Sequence, residues 1–177
     1  MSICPATKQL LFHGRADGVL NPSGVRFGSS EIYRIIEAEF ITEIADSLCV
    51  GQRRPTDADE RVMLFLLMKP GFAFTPDLVS RVKKAIREQL SARHVPAFIF
   101  ETPEIPVSGH GLFCTRGCKH ELITCQTTVN GKKVELPVKQ IVSGKQIQAS
   151  STLLNPESLE FYYRFAEVEK LARESKL

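Results

Sequence analysis

The sequence predicts an α+β fold: a short central β-sheet flanked by helices, with an N-terminal hairpin and hinge. Short apolar runs bounded by turn residues, at Ile44 to Val50, Val62 to Met68 and Ala97 to Glu101, read as strands. Between and after them, apolar residues recur every third or fourth position and read as helices. The 177 residues, 43% hydrophobic and 24% charged, suffice for one domain that buries a core.

In chain order, Leu10 to His13 forms a short strand that enters the glycine-punctuated stretch Gly14 to Gly28. From Ser29 the pattern turns helical. Ile32, Ile35, Ile36 and Phe40 share a face, and Ser29 or Ser30 is placed to cap the first turn. The run Val62 to Met68 is apolar throughout, as expected for a strand covered on both faces. Thr75-Pro76-Asp77 then supplies a cap, a proline at the first helical position and an early acid. Leu78, Val82, Ile86 and Leu90 give that helix a core-facing stripe. The third strand ends at the proline-rich Thr102 to Pro106. Val134 to Ile141 forms a short helix, and Asn155-Pro156-Glu157 opens a final one with Leu159, Tyr162, Tyr163 and Ala166 on one side.

Composition excludes several function classes. A net charge of +3 is too small to argue for nucleic-acid or membrane binding. The longest apolar run, Val62 to Met68, falls far short of the roughly 20 residues of a spanning helix. The N-terminus lacks the regions of a secretory signal, so five cysteines favour a reducing compartment and free thiols. Ser175-Lys176-Leu177 spells a peroxisomal address at the terminus. The expected location is the peroxisome, reached through its import receptor, with the cytosol as the alternative.

Two stretches carry candidate chemistry. The first, Gly14 to Tyr33, is a turn-rich loop that leads into a helix N-terminus. It places Arg15 and Arg26 to meet anionic groups, while Gly18, Gly24 and Gly28 allow close backbone approach or positive φ. On composition alone it also reads as an ordinary surface loop. The second is Thr127 to Glu135, in which Asn130-Gly131 marks a turn presenting Lys132. An exposed turn lysine is the commoner fate of such a residue. Arg81, Lys83, Lys84, Arg87 and Arg93 form a basic set that reads by default as a solvated helix face.

The order of residues in the first stretch is more telling. Gly14-Arg15-Ala16-Asp17, followed by Asn21-Pro22-Ser23-Gly24-Val25-Arg26-Phe27-Gly28-Ser29-Ser30-Glu31-Ile32, resembles the hinge motif of the adenylate-forming superfamily. Its form is similar to that of the acetoacetyl-CoA synthetase branch. The segment Thr127 to Glu135, with its continuation Val134 to Lys145, resembles that branch's catalytic-lysine motif.

The resemblance implies an acid–thiol ligase of lipid and fatty-acid metabolism. Acetoacetate and magnesium-bound ATP would give an adenylate and pyrophosphate, and CoA would then form the thioester. It implies that Asp17 is the hinge residue, that Arg15 and Arg26 meet the nucleotide, that Ser23 and Gly24 line the CoA path, and that Lys132 is catalytic. A guanidinium pairs with phosphate oxygens, and a mobile ammonium neutralises charge developing between carboxylate and α-phosphate. Lys133 is the neighbour to be distinguished from it.

No Gly/Ser/Thr-rich phosphate loop and no large acyl-binding domain stands in the sequence. The resemblance therefore implies a strand and hinge segment over 1–28 and a C-terminal lid domain over 29–177, without the large adenylating domain. Such a fragment is expected to bind no ATP, magnesium or CoA and to lack activity alone. The alternative is a non-catalytic CoA- or nucleotide-binding or interaction module.

One stretch departs from the resemblance. Val107 to Gln126 holds Cys114, Cys118, His120 and Cys125, right in ligand type for zinc but not in a standard zinc spacing, so no metal site is expected. Its removal joins Pro106 to Thr127 in a sequence resembling the uninterrupted family. Val-Ser can be encoded by GTAAGT, a splice donor, a terminal Gln by CAG, and Glu121-Leu122-Ile123 can contain the branch-point sequence CTAAT. The stretch 107–126 reads as a translated, in-frame intron.

Overall fold

The computed structural model describes residues 2–3, 10–11, 19–108, 132–148, 153–169 and 171. In chain order the elements are β1 (Ser2–Ile3), β2 (Leu10–Leu11), β3 (Val19–Leu20), β4 (Phe27–Gly28), α1 (Ser29–Glu39), β5 (Ile44–Gln52) and β6 (Arg61–Met68). After these come α2 (Pro76–Gln89), β7 (Phe98–Glu101), β8 (Val107–Ser108), β9 (Lys132–Lys133), α3 (Glu135–Val142) and α4 (Glu160–Tyr163). The fold is α+β. Its main sheet has the order β5-β6-β7, with β5 antiparallel and β7 parallel to β6.

The uninterrupted apolar run of β6 dictates this architecture. Successive strand residues point to opposite faces, so both faces must be covered. Val62, Leu64 and Leu66 meet Ile32, Ile35 and Ile36 of α1 and Leu78, Val82 and Ile86 of α2 in one core. Met63 and Phe65 meet Val138, Ile141 and Val142 of α3 in the other, together with Leu159, Tyr162 and Phe165 near the C-terminus. The sheet is the middle of three layers. Burying a side chain of this size contributes roughly 1.5–3 kcal/mol, so central β6 anchors both cores.

Local signals decide where the helices begin. Thr75 caps α2 as expected, its hydroxyl accepting the Leu78 N–H at 3.2 Å, with Pro76 at the first helical position. The first helix departs from expectation: Ser29 is already helical and the cap is Gly28, whose N–H is received by the Glu31 carboxylate at 3.0 Å. An acid three residues inside a helix can satisfy the capping N–H itself, so no serine hydroxyl is needed there. The last helical segment is also less regular than expected. It passes from a 3-10 turn, Pro156–Leu159, through α4 to a second 3-10 turn, Arg164–Glu167. Leu159, Tyr162, Phe165 and Val168 are all buried. Their spacing of three is the natural period of a 3-10 helix.

The N-terminal hairpin pairs Ser2 with Leu11 and Ile3 with Leu10. A second hairpin, β3 with β4, pairs Leu20 with Phe27 and frames the loop 21–26. Phe12 and His13, predicted to extend the first strand, lie outside the described residues, as do the five residues Arg15, Asp17, Ser175, Lys176 and Leu177 and the cysteine-rich cluster Cys114, Cys118, His120 and Cys125. Among the described residues no helix is long and apolar enough to cross a membrane.

Candidate functional site

The loop of the second hairpin holds three of the residues singled out in the sequence. Pro22–Gly24 makes a single 3-10 turn, and Ser23 and Gly24 both adopt left-handed backbone, at φ 51° and 80°. Gly24 takes that conformation without cost, whereas Ser23 requires a compensating contact. The Ser23 hydroxyl donates to Asp59 Oδ2 at 2.6 Å and supplies it. That hydrogen bond is the main reason the Asp59 carboxyl is held below its ordinary value. Ser23, Gly24 and Arg26 are exposed on this loop. Gly28, expected to serve close approach or positive φ, instead has extended backbone and caps α1.

A buried acid anchors the loop. Glu60, whose side chain is 6% exposed, accepts the Asn21 backbone N–H at 2.8 Å and pairs with Lys139 Nζ of α3 at 2.5 Å. Its side chain lies across Gly51 of β5, where any Cβ would sit 2.0 Å from the carboxylate oxygen. A carboxylate with few water contacts is tolerated only when paired and hydrogen-bonded. Both conditions are met here by groups from opposite ends of the chain.

The lysine motif approaches from the far side of the sequence. Lys132 and Lys133 form β9, which pairs antiparallel with β8, Ser108 opposite Lys132 and Val107 opposite Lys133. Val107 and Ser108 are the first residues of the stretch 107–126; residues 109–126 lie outside the described ones. Lys133 is committed to structural contacts. Its ammonium pairs with Asp46 at 2.5 Å and lies 4.1 Å from the centre of the Tyr33 ring, a cation–π arrangement.

Glu135, at the start of α3, joins the two motifs. Its Oε1 accepts the Ser29 hydroxyl at 2.7 Å and the Tyr33 hydroxyl at 2.6 Å, across separations of 106 and 102 residues. The Tyr33 oxygen also accepts the Cys49 N–H at 2.9 Å, satisfying a backbone donor of the edge strand β5. Burial, with Cys49 and Glu135 adding to it, raises the Tyr33 phenol well above its ordinary value. It therefore keeps its proton and remains a donor. Burial likewise pushes the Cys49 thiol up, making it an inert core residue.

Sequence reading missed Tyr33, Glu60, Glu135 and Lys139 as site residues. Tyr33 and Glu135 stand inside the two motifs, but their pairing is visible only once the chain is folded. Glu135 and Lys139 are four residues apart on one helix, which places them on a common face. That spacing was the one local signal available. The basic set on α2 behaves as the solvated face expected: Arg81 meets Glu43 at 2.7 and 2.8 Å and Asp77 at 3.0 Å. A groove of about 640 Å³, lined by Phe74, Phe100, Phe161 and Phe165 among others, contains no residue of either motif. Among the described residues no three His, Cys, Asp or Glu side chains are placed to hold a metal ion.

The chain is similar to acetoacetyl-CoA synthetases. It is 47% identical over 167 residues to the Gallus gallus protein, covering 94% of this chain and 22% of that relative. It is 38% identical over 152 residues to the Caenorhabditis elegans protein, covering 86% of this chain and 19% of the relative. A malonamoyl-CoA synthetase from Penicillium aethiopicum is 41% identical over 168 residues, with 94% and 20% covered. Among solved structures, acetoacetyl-CoA synthetase from Streptomyces lividans superposes with a TM-score of 0.65 at 30% identity, covering 89% of this chain and 20% of that one. No family model matches the chain. The chain spans about a fifth of the length of the curated relatives it matches.

Proposed function

Because this chain belongs to the acetoacetyl-CoA synthetase family, over about a fifth of its relatives' length, we propose that it is the C-terminal lid of an ATP-dependent acetoacetate–CoA ligase. The observation that carries this reading is the Glu135 junction, which ties the start of α3, next to the lysine strand, to α1, the helix that follows the hinge-like loop. A lid that swings between half-reactions needs both elements held on one body. On this reading Arg15 and Arg26 approach the nucleotide, Ser23 and Gly24 line the CoA path, Asp17 is the pivot and Lys132 is the catalytic ammonium. Residues 1–28 are the strand and hinge, and 29–177 the lid. Magnesium-bound ATP, acetoacetate and most of the CoA site fall to the large domain, so the chain alone has no turnover.

Lys132 is favoured over Lys133 because it directly follows Gly131 in the turn motif, while Lys133 is engaged by Asp46 and the Tyr33 ring. Lys132 would enter the large domain's site and offset the negative charge that builds as the carboxylate attacks the α-phosphate. For the stretch 107–126, the translated-intron reading gains a simple mechanical consequence. It would lengthen the tether just before the catalytic turn, at small cost in loop-closure entropy but with poorer placement of the lysine.

A graft tests the proposal. This chain replaces the matching segment of the Gallus gallus relative in two forms, with and without 107–126, and acetoacetate-dependent AMP release is measured. The shortened graft is expected to be active and the full one less so by at least about tenfold, the scale on which a misplaced catalytic group loses rate. Equal activity of the two forms would refute the insert reading; two inert grafts would refute the lid. If the ungrafted chain then bound CoA or ATP in calorimetric titration, the binding-module alternative would replace it. Ser175-Lys176-Leu177 is proposed to send the ligase to peroxisomes. A fluorescent protein fused ahead of the chain should gather there and turn cytosolic when the tripeptide is removed.

A further inference from the structure

Among the described residues, β9 is held to β8 through the pairs Ser108–Lys132 and Val107–Lys133. Side chains at and just after its C-terminal end add a second attachment, to α1 and β5. Lys133 is held by Asp46 and the Tyr33 ring. Two residues further on, Glu135 accepts both Ser29 and Tyr33.

A carboxylate in the first turn of a helix is favoured by the helix dipole alone, but that effect does not choose its partners. Here both donors come from one face of α1, four residues apart. One of them, Tyr33, is itself pinned to β5 through the Cys49 N–H. The same ring thus serves Lys133 by its face and Glu135 by its hydroxyl. Removing Glu135 would release the start of α3 and leave two hydroxyl donors without this acceptor.

We propose that Glu135 is a positioning residue: through Ser29 and Tyr33 it fixes the lysine strand to the helix that follows the hinge, so that Lys132 and the hinge loop move as one body. The inference rests on the lid reading for the importance of Lys132. Its test does not, because it reads the order of the strand and not the chemistry.

Amide hydrogen exchange is measured on this chain and its Glu135→Ala, Glu135→Gln and Tyr33→Phe variants. The reporter is Val134, whose N–H bonds the Pro106 carbonyl at 3.1 Å, with Leu64 and Phe65 of the central strand as controls. Glu135→Ala should accelerate exchange at Val134 by at least about tenfold and leave the controls within about twofold. Glu135→Gln keeps an acceptor oxygen and should return exchange to near the parent rate. Tyr33→Phe keeps the ring under Lys133 but loses the hydroxyl, so it should fall between. Unchanged exchange in Glu135→Ala, equal acceleration at the controls, or no rescue by glutamine would each overturn the proposal. A grafted Lys132→Ala protein that adenylates normally would instead count against the lid reading and leave these results standing.

Discussion

Lys132→Ala in the active graft lowers acetoacetate-dependent ATP–pyrophosphate exchange by about 100- to 1,000-fold, the range seen when one electrostatic stabiliser of developing charge is removed. Transfer from preformed acetoacetyl-adenylate to CoA stays within about threefold, because no carboxylate attacks the α-phosphate in that step and the charge this lysine offsets does not develop. The split between half-reactions is the diagnostic feature. Lys133→Ala behaves differently. It loses the Asp46 pair and the contact with the Tyr33 ring, so its main effect is on stability and on the order of β9, with a smaller loss of adenylation. If Lys133→Ala abolished exchange while Lys132→Ala spared it, the assignment would be reversed. If both half-reactions fell together in Lys132→Ala, the lysine would be serving general binding and not the adenylation step.

What the sequence made legible, and what it did not, follows from the range of the forces involved. The run Val62 to Met68 announced a strand covered on both faces because hydrophobic patterning is local, and its alternating residues do divide between two cores. Thr75-Pro76-Asp77 announced a helix start for the same reason. The parallel placement of β7 beside β6 was not legible, since it depends on α2 packing back over the sheet between them. At the site, the two motifs stood out singly, yet neither pointed to the other. Glu60 stands beside Asp57 and Asp59 between β5 and β6 with no local feature to set it apart. Its role depends on Asn21, Gly51 and Lys139, which only the folded chain brings together. Ser29, which with Ser30 is a candidate cap in the sequence, instead donates its hydroxyl to Glu135; capping patterns cannot distinguish a hydroxyl that accepts a local N–H from one that donates to a carboxylate a hundred residues away.

Gly51→Ala is expected to destabilise the chain by about 2–4 kcal/mol, the scale for disrupting a buried, hydrogen-bonded ion pair, although the substitution adds a single methyl group. A Cβ at this position would lie 2.0 Å from Glu60 Oε1 and 2.4 Å from its Cδ, so the glutamate must leave its slot. A flexible side chain can turn away cheaply as far as sterics are concerned. The cost lies in what it abandons: the Asn21 N–H loses its acceptor, and Lys139 loses its counter-ion. Urea denaturation of a double-mutant cycle separates this account from general strand damage. In a Glu60→Ala background the slot is already empty, and Gly51→Ala should then cost less than about 0.5 kcal/mol. If the two losses simply added, eviction of Glu60 would be the wrong explanation. The same cycle bears on function. Glu60 holds the hinge loop against α3 while Glu135 holds α3 against α1, so the two acids secure opposite ends of one connection. Evicting Glu60 should therefore speed amide exchange in the loop around Asn21 and leave Val134 near its parent rate, the converse of the Glu135→Ala pattern.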